Sequence, residues 1–188
     1  HGAKYKNKSV GTWGDINAWS FCQDKIMTTG GEGGIVTTNN ETLYKKAWSL
    51  KDHGKDYDTV FNIKHKPGFR WLHKNIGTNW RMMPIQAVIG NCALDKLDLW
   101  VSHRRKIAKI YNDNLKDIPG IRLTIPPQNI YHSYYKYYFF INKSNFKISR
   151  DEIILLINNE GIFCQVGSCS EVYNEKCLLN YSPKNNLH

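Results

Sequence analysis

Lys25 stands between an aromatic-rich run and a glycine-dense turn, in the stretch Trp19-Ser20-Phe21-Cys22-Gln23-Asp24-Lys25-Ile26-Met27-Thr28-Thr29-Gly30-Gly31-Glu32-Gly33-Gly34. A lysine amine within reach of a bound aldehyde forms a Schiff base when burial or nearby cations lower its pKa. The backbone amides of a glycine turn, together with Ser or Thr hydroxyls, make a concavity that binds anions. A ligand carrying both an aldehyde and a phosphate would use both features. A solvated lysine beside a hairpin turn would use neither, and spacing alone does not choose between these readings.

The elements that must hold Lys25 are legible from pattern. Asp15 to Phe21 alternates polar with apolar residues and predicts a strand, and Gly33 to Thr38 predicts a second one entered through the glycine turn. Asn40 or Glu41 starts a helix carrying Leu43, Ala47 and Trp48. Residues 1–9 read as a loop. Residues 53–79, with Gly54, Pro67, Gly68 and Gly77 among scattered aromatics, read as a long ordered loop, a kind usually kept for function.

From Pro84 the apolar residues Ile85, Val88, Ile89, Cys92, Leu97, Trp100, Val101, Ala108, Tyr111 and Leu115 recur at helical spacing. Unbroken to Asp117, that helix would be ~50 Å long, with Asp98 as the neighbourhood of any break. Beyond Pro119-Gly120, the runs Ile121–Ile125 and Tyr134–Ile141 predict strands. Ser149 and Glu152 form the capping box of a helix through Asn158, and Ile162–Val166 predicts a last short strand. This is the β-β-α-β order of a small α+β domain. The aromatics Tyr134, Tyr135, Tyr137, Tyr138, Phe139 and Phe140 read as the two faces of one strand packed in a core, with base stacking as the alternative.

Composition bounds the rest. With 188 residues, 41% hydrophobic and 22% charged, the chain is long enough to bury a core. The net charge of +10 favours anionic partners, yet no block of five like charges marks a nucleic-acid arm. No apolar run reaches the ~18 residues of a membrane span. Cys22, Cys92, Cys164, Cys169 and Cys177 are odd in number and contain no CxxC pair. They read as reduced, mostly buried thiols of a cytoplasmic protein, and the histidine spacing offers no metal site. His1 in place of a methionine and the polar ending NYSPKNNLH predict a piece of a longer protein.

Three motifs in order carry a resemblance: GTWGDINAWSFCQDKIMTTGGEGGIVTTNN, then KDHGK, then GTNWRMMPIQAVIG. Together they resemble the DegT/DnrJ/EryC1/StrS sugar aminotransferases, pyridoxal-phosphate enzymes of fold type I. The family pattern Lys-x-x-Thr-Thr-Gly-Glu-Gly-Gly has one glycine fewer than Lys25 to Gly34 here. The resemblance implies an α/β architecture in three parts. Residues 1–83 end a large cofactor-binding domain, 84–118 form a linking helix, and 119–188 begin a small α+β domain.

The resemblance also implies roles. Lys25 would carry pyridoxal 5'-phosphate and act as the acid and base that moves the substrate proton. Ser20 would hydrogen-bond the cofactor phosphate, and Asn79 would reach that phosphate from the neighbouring subunit of a homodimer. The bland alternative for Asn79 is a helix N-cap before Pro84, for Ser20 a polar strand residue. Arg81 reads as a brace of its loop, and His53 as a neighbour of a helix C-cap. Gly167 to Tyr173 would lie near a sugar-binding mouth.

An amino acid, by family likeness glutamate, would supply the amine to a keto-deoxysugar on a nucleotide carrier, for polysaccharide or glycoconjugate synthesis. A non-catalytic binding protein on the same fold is the alternative. So is a sugar dehydratase, whose relatives carry histidine where Lys25 stands. The family's aspartate partner of the pyridinium nitrogen falls a few residues before His1-Gly2-Ala3, so this segment alone is expected to be a poor enzyme with an exposed apolar face.

Overall fold

Lys4–Tyr5 (β1) and Lys8–Ser9 (β2) pair across a turn in which Lys6 and Asn7 both take positive φ, 47° and 62°. That conformation matches the right-handed twist of the flanking strands, so residues read from sequence as a loop form a small hairpin. The computed structural model describes residues 1–167 and 171–178.

Asn17–Ser20 (β3) and Gly34–Thr37 (β4) form the second, antiparallel hairpin, with Asn17 opposite Thr37 and Ser20 opposite Gly34. The Trp19 indole nitrogen donates to the Thr37 hydroxyl at 3.1 Å, tying the strands by side chain as well as backbone. Helix α1 (Glu41–Lys51) comes next, capped by the Asn40 side chain, which accepts from the Leu43 amide at 3.0 Å.

The segment after α1 is ordered, as its aromatics predict, and it contains a short helix that periodicity did not show. This is α2 (Tyr57–Phe61), capped by Asp56 and packed on α1 through edge contacts of Trp48 with Tyr57 and Phe61. Bridges between Asp52 and Asn79 and between Lys55 and His73 close the loop on itself.

The apolar stripe from Pro84 is two helices, α3 (Pro84–Leu94) and α4 (Leu97–Leu115), and not one. Cys92 and Leu97 are five residues apart, a gap that a 3.6-residue period does not bridge. The chain fills it with a tight turn in which the Lys96 amide bonds to the Ala93 carbonyl, and the Trp100 amide restarts the helical pattern on Lys96. The break falls at Asp95–Lys96.

By internal contacts the chain forms two units, each made of two segments. The first comprises residues 1–112 and 125–137. Its core joins Phe21, Met27 and Ala93 with the partly buried Trp19, Met82, Leu97 and Trp100, and Val101 and Ala108 are buried on α4. Within this unit the returning segment supplies β6 (Ile130–Tyr131), which pairs with β1. The α3 half of the stripe is open, with Ile85 65% and Val88 60% exposed.

The second unit comprises residues 113–124 and the chain from Tyr138. There β5 (Ile121–Leu123) pairs antiparallel with β7 (Phe139–Ile141), and α5 (Arg150–Asn159) carries the expected Ser149–Glu152 capping box. Two strand expectations fail. Tyr134 has φ 49°, in the left-handed region where no strand can start, and of the aromatic run only Phe139–Ile141 forms a strand. Residues 162–166 form no strand; the Asn158 side chain bonds to both the amide and the carbonyl of Cys164.

The cysteines are also more open than expected: Cys22 and Cys164 are half-buried, Cys92 and Cys177 exposed, and all four are free thiols. Ser168 and Cys169 lie outside the described residues. Among the described residues no helix is long and apolar enough to cross a membrane.

Candidate active site

The β3–β4 hairpin places Ser20 and Lys25 on one continuous stretch. Ser20 ends β3, exposed, and its hydroxyl oxygen accepts from the Cys22 amide at 3.4 Å. That bond leaves the hydroxyl proton uncommitted. The Cys22 carbonyl accepts from the Lys25 amide at 3.0 Å, turning the chain back so that the Lys25 side chain leaves the strand end, 31% exposed.

The amine of Lys25 is not isolated. It donates to the Tyr135 hydroxyl at 3.3 Å, lies 4.8 Å from the centre of that ring, and sits 3.5 Å from the Asp24 carboxylate. The Tyr135 hydroxyl donates to Asp24 in turn, as do the Lys136 amine at 3.1 Å and the Cys22 thiol at 3.2 Å. With the tyrosine hydroxyl as the largest contributor, Asp24 is held well below the usual carboxylate range. The same hydroxyl, and then the Asp24 charge, raise the Lys25 pKa against the opposing effect of burial. A lowered pKa was the sequence expectation for a reactive lysine, and the fold does the opposite because the groups around this amine are acceptors and an anion.

The glycine turn is braced internally. The Thr28 hydroxyl donates to the Phe21 carbonyl at 3.0 Å, and the Thr29 hydroxyl, in a residue 1% exposed, donates to the Glu32 carbonyl at 3.4 Å. These hydroxyls hold the turn and are not free for a phosphate, so of the predicted hydroxyl donors on this stretch Ser20 is the one left open. Gln86, in the first turn of α3, donates to the Glu32 carbonyl at 2.7 Å and fixes the far side of the turn. The extra glycine is accommodated outward: Gly31 has φ 146°, and a Cβ there would meet nothing within 4 Å.

Asn79 belongs to a different cluster. Its side-chain oxygen accepts from Arg81 Nε at 3.1 Å, and Arg81 lies 4.0 Å from Asp52 and 3.5 Å from His53 Nε2. The N-cap of α3 is Met83, whose amide donates to the Gln86 side chain, so the N-cap alternative for Asn79 does not hold. Arg81 braces its loop as expected. His53 directly succeeds the C-cap Asp52, at φ 61°.

Sequence reasoning missed Asp24, Tyr135 and Lys136. Asp24 was visible as the neighbour of Lys25, whereas Tyr135 was read as strand packing. Among the described residues no cluster of histidine, cysteine or carboxylate side chains could hold a metal ion.

Residues 1–183 match the family model of the DegT/DnrJ/EryC1/StrS aminotransferase family. The chain belongs to this family. Among curated DegT/DnrJ/EryC1/StrS relatives, it is 37% identical over 134 residues to the GDP-perosamine synthase of Escherichia coli O157:H7, covering 71% of this chain and 33% of that one. It is 31% identical to the dTDP-4-amino-4,6-dideoxy-D-glucose transaminase of Shigella dysenteriae, over 87% of this chain and 41% of the relative. An X-ray structure of the aminotransferase from Psychrobacter cryohalolentis superposes on all of this chain with a TM-score of 0.90 and 46% identity, and this chain covers 50% of it. The chain therefore spans half or less of the length of these family members.

Proposed function

We propose that the whole protein is a pyridoxal-phosphate-dependent aminotransferase that aminates a keto-deoxysugar carried on a nucleotide. The observation that supports this most is the Lys25 amine itself: partly open to a ligand, next to the uncommitted Ser20 hydroxyl, and in a chain that matches an aminotransferase family over residues 1–183. The relatives named for a GDP-sugar and a dTDP-sugar product favour a nucleotide-linked substrate. Glutamate as amine donor, a cytoplasmic setting, a homodimer and a place in polysaccharide or glycoconjugate synthesis complete the reading. So does the division into an end of a large domain, a linking helical region and a small domain.

The residues present fit the cofactor at two points. Lys25 presents a primary amine to its aldehyde, and Ser20 has a hydroxyl proton to give to its phosphate. In the homodimer Asn79 would serve the phosphate of the neighbouring subunit. Bound there, pyridoxal phosphate supplies an electron sink for the carbon that gives up or gains the proton. Lys25 takes that proton from one face and returns it, which requires its amine to be free of its own proton at that moment. The surplus of positive charge attracts a nucleotide-borne diphosphate.

The test is borohydride reduction of the full-length protein incubated with pyridoxal phosphate, and then peptide mapping. A phosphopyridoxyl group on Lys25 is the expected result. An unmodified Lys25 in a folded full-length chain would sink the reading and favour a binding protein on the same fold.

A further inference from the structure

Tyr135 meets Lys25 from a segment outside the three sequence motifs, and its placement is fixed from several sides. Tyr134 adopts φ 49°, and its amide donates to His132 Nδ1 at 3.0 Å. From α4, Arg104 Nη1 donates to the carbonyls of both Tyr134 and Tyr135, at 3.4 and 3.2 Å. Arg105 Nη1 donates to the His132 carbonyl at 2.7 Å. A left-handed residue held by a backbone bond and two arginines is a turn built to aim the next side chain. That side chain is Tyr135, whose hydroxyl bridges Lys25 and Asp24.

We propose that Tyr135 is a positioning residue for Lys25: its hydroxyl, anchored on Asp24, docks the amine as an ammonium and sets the pH at which Lys25 becomes a nucleophile.

Three features carry this. The hydroxyl spends its proton on Asp24, so towards Lys25 it acts only as an acceptor, and an acceptor favours the charged amine. The ring lies within cation–π range of the same amine, again favouring charge. Other groups facing the amine are the Asp24 carboxylate and the Cys22 thiol, with Lys136 on the far oxygen of Asp24, drawing part of that charge away from Lys25. Tyr135 thus contacts both Lys25 and its counter-ion, which also touch each other at 3.5 Å, and a ligand that competes for the hydroxyl or for Asp24 frees the amine. The proposal gains its catalytic meaning from the reading of Lys25 as the cofactor lysine, but its test does not depend on that reading.

The experiment uses the full-length protein freed of pyridoxal phosphate, as wild type and as Tyr135→Phe. An acetylating reagent is applied across a range of pH, and acetylation at Lys25 is quantified by peptide mass mapping, with exposed Lys46 as internal reference. The expected result is a lower midpoint for Lys25 in Y135F, so that near neutral pH it reacts about threefold faster, the size an ion contact open to solvent supports. The plateau at high pH stays the same. A packing role alone would leave the midpoint unmoved, since phenylalanine keeps the ring. Asp24→Asn is the second variant and is expected to move the midpoint in the same direction. An unchanged or raised midpoint in Y135F overturns the proposal whatever Asp24→Asn does, and a shift in Asp24→Asn alone assigns the effect to the carboxylate. Because no cofactor is present, this outcome is separate from that of the borohydride experiment.

Discussion

Gly54 and Gly77 lie backbone against backbone: a Cβ on Gly77 would stand 2.1 Å from the Gly54 amide nitrogen. A Cβ on Gly54 would in turn stand 1.8 Å from the Asn75 carbonyl oxygen, and Gly54 has φ 78°. This contact makes residues 53–79 an ordered loop. The Gly54 carbonyl accepts from the amides of Lys74 and Asn75, and its amide donates to the Ser49 carbonyl at 2.8 Å. The Asn79–Arg81–Asp52 cluster is built on that clasp.

Gly54→Ala is expected to destabilise the full-length protein by on the order of 2 kcal/mol or more, since it combines a left-handed backbone with a collision against backbone atoms. Thermal unfolding and limited proteolysis check this. The loop between Asp52 and Asn79 should become the earliest cleavage site, and a variant as stable and as resistant as wild type would show that the clasp has no energetic weight.

Ser20→Ala tests the phosphate donor. If the Ser20 hydroxyl bonds the cofactor phosphate, its loss should weaken pyridoxal phosphate binding to the full-length protein by roughly tenfold, as expected for one hydrogen bond to a charged group. Spectroscopic titration of the cofactor reads this directly. Stability without cofactor should hardly change, because Ser20 is exposed and gives up only a 3.4 Å contact from the Cys22 amide. Unaltered affinity would return Ser20 to the role of a polar strand residue.

His132 makes the Tyr134 turn sensitive to acid. Its Nδ1 accepts the Tyr134 amide, which requires that nitrogen to be unprotonated, and burial, then the Arg105 charge, lowers its pKa. A histidine with a depressed folded pKa contributes stability above its unfolded value, near pH ~6.5, and that contribution falls as acid is added until the folded form also protonates. Amide hydrogen exchange at Tyr134 and Tyr135 should therefore accelerate between about pH 7 and about pH 5, after correction for intrinsic rates. In His132→Phe the exchange should be faster at both ends and lose that dependence. A wild-type turn equally protected across the range would rule out the coupling.

Much of this protein is local, and the sequence by itself determined it. Caps act over three or four residues, so Asn40 and Ser149 marked their helices in advance. Strand alternation and a glycine turn act over about as few, so the hairpin that carries Ser20 and Lys25 was legible, as was the family to which the three motifs pointed. The five-residue gap between Cys92 and Leu97 held the information for the break, which the sequence placed near Asp98 and the fold places at Asp95–Lys96.

Only the tertiary structure decided the surroundings of Lys25. Its hydrogen-bond partner Tyr135 is 110 residues away, brought back by a segment whose direction is set at Tyr134 and secured by arginines of α4. Nothing in a run of alternating aromatics announces a left-handed residue at its start, because that conformation is strained and persists only where the rest of the fold compensates it. The turn hydroxyls likewise looked available for a phosphate until the fold showed them spent on carbonyls of Phe21 and Glu32. Which residues are present is a property of the chain. Whether an amine there is charged, and whether a hydroxyl is free, is a property of the groups the fold sets against them.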